Sequence, residues 1–156
     1  GLGDVYKRQE QNILEEYSRR FSEIVKQKVI ESDWVPGVEE FLHTNPFDQI
    51  LFIITATPQN EIDQIVDAIG LRSCFTRIIG APTNKKDAIH QLIQRYNIDT
   101  KISTMIGDSI TDYQAAIENR IAFVLRKTNL NQSLQNKLKC YMINDFLNLN
   151  KELSGG

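Results

Sequence analysis

Along this chain, stretches with apolar residues at helical spacing alternate with short continuous apolar runs. From about Glu10 to Glu31, Ile13, Leu14, Tyr17, Phe21, Ile24, Val25 and Val29 recur every three or four positions. That spacing predicts one amphipathic helix with Glu15, Arg19, Arg20, Glu23 and Lys26 on its polar face. Val35-Pro36-Gly37 breaks it, and a short helix follows over Val38–His43 before Asn45-Pro46 turns the chain. Ile50–Thr55 is unbroken apolar sequence up to its final threonine, as expected of a strand covered on both faces. Thr57 is a candidate N-cap and Pro58 a candidate first residue of a helix that Gly70 ends. Arg77-Ile78-Ile79 predicts a second strand, and about Asn84 to Tyr96 a helix burying Ala88, Ile89, Leu92, Ile93 and Tyr96. Ile102–Ile106 predicts a third strand, followed by a helix containing Ala115 and Ala116. Ile121–Leu125 and Tyr141–Ile143 predict two more, before Phe146 and Leu149 close on a short helix. Strands alternating with helices predict an α/β protein with a parallel sheet.

Within that pattern, Thr104-Met105-Ile106-Gly107-Asp108-Ser109-Ile110-Thr111-Asp112 stands out. An apolar run ends in Gly-Asp, and a second aspartate follows in the first turn of the next helix. Ligands of open parallel sheets bind outside the carboxyl ends of the strands. Two carboxylates placed there repel each other unless a cation intervenes, and hard oxygen donors suit magnesium. A plain turn, with Asp112 favouring a helix N-terminus, accounts for the same residues equally well. Thr55 brings a hydroxyl to the end of the first strand, where free backbone N–H groups at the start of the next helix form an anion site. Lys85 or Lys86 brings an ammonium to the end of the second; helix phase alone does not choose between them. Together these groups suit a phosphate with its magnesium.

Composition narrows the partners. The 156 residues are 41% apolar, enough to bury a core and form a single domain. Lysine and arginine number 18 against 20 acids, which gives no electrostatic footprint for nucleic acid or an anionic membrane. Cys74 and Cys140 lie in apolar runs without metal-ligand spacing, so buried free thiols and a cytoplasmic location are expected. No apolar stretch has the length of a membrane span. His43 and His90 read as surface residues, Trp34 as a packing anchor, and Arg126-Lys127 and Lys137/Lys139 as solvated charge. Residues 1–9 resemble a translated adapter run and share no periodicity with the residues after them, so they are expected to be foreign and the natural N-terminus truncated. Residues 154–156 read as a flexible tail.

The residues from 33 to about 147 resemble the haloacid dehalogenase (HAD) superfamily, chiefly its phosphoglycolate-phosphatase-like and sugar-phosphate phosphatase members. The resemblance rests on Val35–Leu42, Phe52–Pro58, Gly80-Ala81-Pro82-Thr83-Asn84-Lys85 and Gly107–Asp112. It implies a Rossmann-like three-layer fold over residues 33–153, with residues 10–32 as the last helix of a helical cap. It also implies a Mg2+-dependent phosphatase for a small phosphorylated metabolite, acting through an aspartyl-phosphate. Thr55 and Lys85, with Lys86 as the alternative, would contact the phosphoryl group beside Ala56; Asp108 would hold the metal and Asp112 would support the metal and its waters. The family's first motif is an apolar strand ending in Asp-x-Asp, and the chain contains no Asp-x-Asp. The resemblance therefore implies a missing central nucleophile strand, an inactive chain, and either a slot in the sheet or direct pairing of strands 50–55 and 102–106. Other readings are a phosphomutase of the same family or a non-catalytic remnant that binds phosphate-bearing ligands or a partner. Gly107–Thr111 also resembles the first block of GDSL-type esterases, with Ser109 as nucleophile. That mechanism needs a histidine base, which in those enzymes comes after the block, whereas here both histidines precede it.

Overall fold

The computed structural model describes residues 35–149 together with Gln11, Ile13, Glu16, Arg20, Glu23 and Gln27. Those six are all helical and exposed, Ile13 included; the rest of the predicted 10–31 helix, Trp34 and the last seven residues lie outside the described residues. The element order is α1 (Val38–Thr44), β1 (Phe52–Pro58), α2 (Gln59–Ala68), β2 (Arg77–Ala81), α3 (Lys85–Tyr96), β3 (Thr104–Gly107), α4 (Ile110–Glu118), β4 (Ala122–Arg126), α5 (Gln132–Lys137) and β5 (Tyr141–Ile143).

Every strand pairing is parallel, but the strands form two sheets. β1 pairs with β2, Phe52 opposite Arg77 and Ile54 opposite Ile79. β3, β4 and β5 form the other, Ile106 opposite Val124 and Leu125 opposite Met142. Among the described strands β1 and β3 are not paired, so the direct pairing of strands 50–55 and 102–106 is not what the structure shows.

Alternation along the strands sets the layers. Ile53 and Ile78 point to one face, where Val66 of α2 and Leu71 pack; Ile54 and Ile79 point to the other, against Ala88 and Leu92 of α3. In the second sheet, Phe123 and Leu125 meet Ala116 of α4, while Val124 and Ile143 meet Phe41 of α1. Leu42 touches clusters of both halves, and α3 packs on α4 across the opposite face. The halves are thus joined by helices above and below, not by strand pairing.

Several boundaries depart from the sequence pattern. Ile102 does not open β3: it ends a single 3-10 turn, Thr100–Ile102, and is 84% exposed. Asp99 causes this by accepting from the Lys101 N–H at 3.0 Å. Thr57 does not cap α2 and Pro58 does not begin it; the strand continues through Pro58, and the helix starts at Gln59. The Thr57 N–H is bonded to Thr55 Oγ1 at 3.1 Å within a bulge of β1. Cys74 and Cys140 are free but only half-buried. Arg126 is half-buried rather than solvated, its Nε donating to the Asn144 carbonyl at 3.1 Å. Among the described residues no helix is long and apolar enough to cross a membrane.

Candidate active site

The acidic loop is built from its own backbone outward. β3 ends at Gly107, and Ser109 caps α4, its Oγ accepting from the Asp112 N–H at 3.2 Å. Asp112 folds back over the loop, and its Oδ2 accepts from the N–H groups of both Asp108 and Ser109, each at 3.2 Å. A Cβ on residue 107 would lie 2.5 Å from that same oxygen, so only glycine lets the carboxylate sit there. The Ser109 hydroxyl is also within 2.9 Å of Thr111 Oγ1. It is occupied in the cap, an arrangement that does not suit a nucleophile.

Lys85 completes the group from the start of α3. Its Nζ lies 2.7 Å from Asp112 Oδ1 and donates to Thr111 Oγ1 at 3.3 Å. Both members of the ion pair are largely sheltered from water, where opposite charges attract more strongly than at the surface. Lys86, the alternative, lies 3.7 Å from Glu118 Oε2 in an exposed contact. Geometry therefore picks Lys85 as the lysine that faces the acids. An exposed counterpart occurs just after α2, where hydrogen bonds donated to Asp67 and then Asp63 raise the Arg72 pKa above its ordinary value. Such surface pairs contribute little to stability.

Asp112 has both oxygens engaged, while the Asp108 side chain is exposed and has no recorded partner among the described residues. Magnesium is ordinarily held by one or two carboxylates together with waters and phosphate oxygens. One open carboxylate with a second braced behind it fits that pattern; Asp108 could hold the ion and Asp112 could orient its waters. No group of three His, Cys, Asp or Glu side chains able to hold a metal occurs among the described residues.

Thr55 sits at the β1 bulge, half-buried, its hydroxyl donating to Thr57 Oγ1 at 3.1 Å. Gln59, which the sequence pattern did not flag, ties this bulge to β2: its Oε1 accepts from the Gly80 N–H at 2.7 Å and its Nε2 donates to the Ile78 carbonyl at 3.1 Å. Gly80 allows that approach, because a Cβ there would lie 2.5 Å from the Thr57 carbonyl oxygen. Ala56, Thr83, Lys85, Lys86 and Thr111 line one cavity of about 360 Å³. Thr55, Asp108 and Asp112 are not among its walls. A larger concavity, about 460 Å³, begins at Arg77 and includes His90 and Arg95; it carries none of the candidate residues, and the chemistry favours the smaller one.

Asn131 was also missed. It is buried in the turn after β4, and its Nδ2 donates to the Asp108 carbonyl at 2.9 Å. The spacing Thr128-x-x-Asn131 is a capping pattern, and it was the available signal.

The sequence model of haloacid dehalogenase-like hydrolases matches residues 3–125. Among curated proteins none matches the chain. A predicted phosphatase from Clostridium acetobutylicum is similar in structure at 23% identity and a TM-score of 0.67, over 78% of this chain and 60% of that one. A predicted phosphoglycolate phosphatase from Haemophilus somnus is similar at 22% identity and a TM-score of 0.68, over 81% and 60%. A hydrolase described as haloacid dehalogenase-like, from Streptococcus pneumoniae, is similar at 21% identity and a TM-score of 0.66, over 75% and 58%. At these identities the likeness is one of fold, and the chain spans about three fifths of the length of these structures.

Proposed function

The chain belongs to the haloacid dehalogenase-like hydrolase family, and on that footing we propose that it carries the phosphate- and metal-binding part of a magnesium-dependent phosphatase for small phosphate monoesters, such as phosphoglycolate or a sugar phosphate. The observation that carries this reading is the Lys85–Asp112 pair at 2.7 Å, set beside the open carboxylate of Asp108 at the carboxyl end of β3. In this reading Lys85 neutralises charge on the bound phosphoryl group, and Thr55 with the Ala56 N–H orients it. Asp108 holds the ion, and Asp112 fixes both Lys85 and the loop. The ion, when bound, supplies positive charge against the phosphoryl oxygens. Preorganised charge of this kind stabilises a transition state without reorganisation during the reaction.

The attacking carboxylate is not among these residues, since the 156-residue sequence has no Asp-x-Asp. A positioned nucleophile is what covalent phosphoryl transfer requires. The chain by itself is therefore proposed to bind but not to turn over. Calorimetric titration with phosphoglycolate and inorganic phosphate, with and without Mg2+, tests the first half, and p-nitrophenyl phosphate turnover tests the second. Expected are metal-dependent phosphate binding that Asp108→Asn abolishes, and no turnover. Binding indifferent to both Mg2+ and Asp108→Asn overturns the site. Metal-dependent turnover by the 156-residue chain overturns the claim that the nucleophile lies outside it.

A further inference from the structure

We propose that Asn131 is the positioning residue for Asp108, holding the metal-facing carboxylate from the turn after β4. Among the described residues only two polar side chains are buried, Asp112 and Asn131, each 6% exposed. Both grip the backbone of Asp108. Asp112 Oδ2 accepts its N–H at 3.2 Å, and Asn131 Nδ2 donates to its carbonyl at 2.9 Å. With the peptide groups on either side held, the direction in which the Asp108 side chain leaves the backbone is set, although the side chain itself is open to solvent.

The Asn131 carboxamide does two separable things. Its Oδ1 accepts from the Thr128 N–H at 2.9 Å and from Gln135 Nε2 at 2.8 Å, which closes its own turn. Its Nδ2 donates to the Arg126 carbonyl at 2.9 Å as well as to that of Asp108, a loop 23 residues earlier in the chain. A carboxamide offers one acceptor oxygen and two N–H donors, and here every one is used. The orientation is unambiguous, because the flipped amide would set N–H against N–H at one end and oxygen against carbonyl oxygen at the other. A turn cap alone needs only the acceptor, which aspartate, serine or threonine also supplies. The buried donor end is the part that turn formation does not explain, and its long-range target is the residue proposed to hold the ion. Supports of this kind tune a metal ligand through its orientation.

The metal arm of the test rests on the proposed phosphatase function, whereas the positioning arm does not. Asn131→Leu removes the whole network at similar volume. Asn131→Asp keeps the acceptor end and the cap but loses both donors, and it serves as the second variant where the leucine protein does not fold. Gln135→Ala loosens the same turn, through the lost bonds to Asn131 Oδ1 and the Thr128 carbonyl, without touching Asp108. The readouts are the 1H–15N amide signals of Asp108 and Ser109, and Mn2+ affinity from the electron spin resonance of the free ion. Expected are displaced signals in both Asn131 variants, a loss of Mn2+ affinity on the order of tenfold in Asn131→Leu, and unmoved signals in Gln135→Ala. Unmoved signals in the Asn131 variants, or equal displacement in Gln135→Ala, overturn the proposal. Absence of Mn2+ binding by the unaltered chain would count against the metal reading of the site, while the amide signals would still decide whether Asn131 positions Asp108.

Discussion

The two half-sheets contribute to the candidate site in different ways. The β3–β4–β5 half delivers its carboxylates on a loop whose geometry is set from both sides by buried polar groups, Asp112 from α4 and Asn131 from the turn after β4. The β1–β2 half delivers Thr55 on a bulge, where the hydroxyl bonds only to its near neighbour Thr57. Gln59 braces that bulge from behind without touching Thr55. Lys85 follows β2 in the chain but is ion-paired to Asp112 of the β3–β4–β5 half, so it acts as a strap between the two. One half fixes its loop with buried polar groups and the other fixes its bulge with short-range bonds, and both end at a strand edge, β1 and β3, that no described strand covers. Unpaired edges invite association with other strands.

The strongest way to break this contrast is Asp112→Ala. It strands a sheltered ammonium, removes the capping box and frees the Asp108 N–H. Removing one partner of a buried ion pair costs about 3–5 kcal/mol, a large share of the roughly 5–15 kcal/mol typical of a domain. Urea denaturation should show a loss of that size or no cooperative transition at all. A loss comparable to that of a surface substitution would mean that the acidic loop is not what organises its half.

Gly107→Ala and Gly80→Ala sharpen the contrast, because each introduces a methyl 2.5 Å from an oxygen atom. Overpacking of this kind costs about 1–3 kcal/mol, and similar shifts in the denaturation midpoint are expected from both. Their effect on metal should differ. Gly107→Ala pushes on Asp112 and should weaken Mn2+ binding, whereas Gly80→Ala pushes on the Thr57 carbonyl and should leave it unchanged. Equal weakening by both would show that the two halves move as one body.

Thr55→Val carries the smallest expected effect on stability. It removes a short-range hydroxyl bond at a half-buried position, and a typical intramolecular hydrogen bond contributes only about 0.5–1.5 kcal/mol. A shift at or below the low end of that range is expected, together with a clear loss of phosphate affinity in calorimetric titration. A large stability loss with unchanged affinity would reassign Thr55 to the architecture of the bulge.

Much of the fold was legible in the sequence because it depends on neighbours. Continuous apolar runs marked β1 and β4, helical spacing marked α3, and Gly107-Asp108 marked the place where a strand gives way to a helix. Errors arose where a local polar bond outweighed the sequence signal, the apolar pattern at Ile102 under the Asp99 cap and the capping pattern at Thr57 in the bulge. What the sequence by itself determined was the order of elements, their parallel arrangement, and which residue types stand at the strand ends. Only the tertiary structure decided that Lys85 rather than Lys86 meets Asp112, that β1 and β3 belong to separate sheets, and that Asn131 reaches Asp108. The physical reason is range. Apolar periodicity and caps act within about one helical turn, whereas these contacts join groups more than twenty residues apart, and only packing brings such groups together.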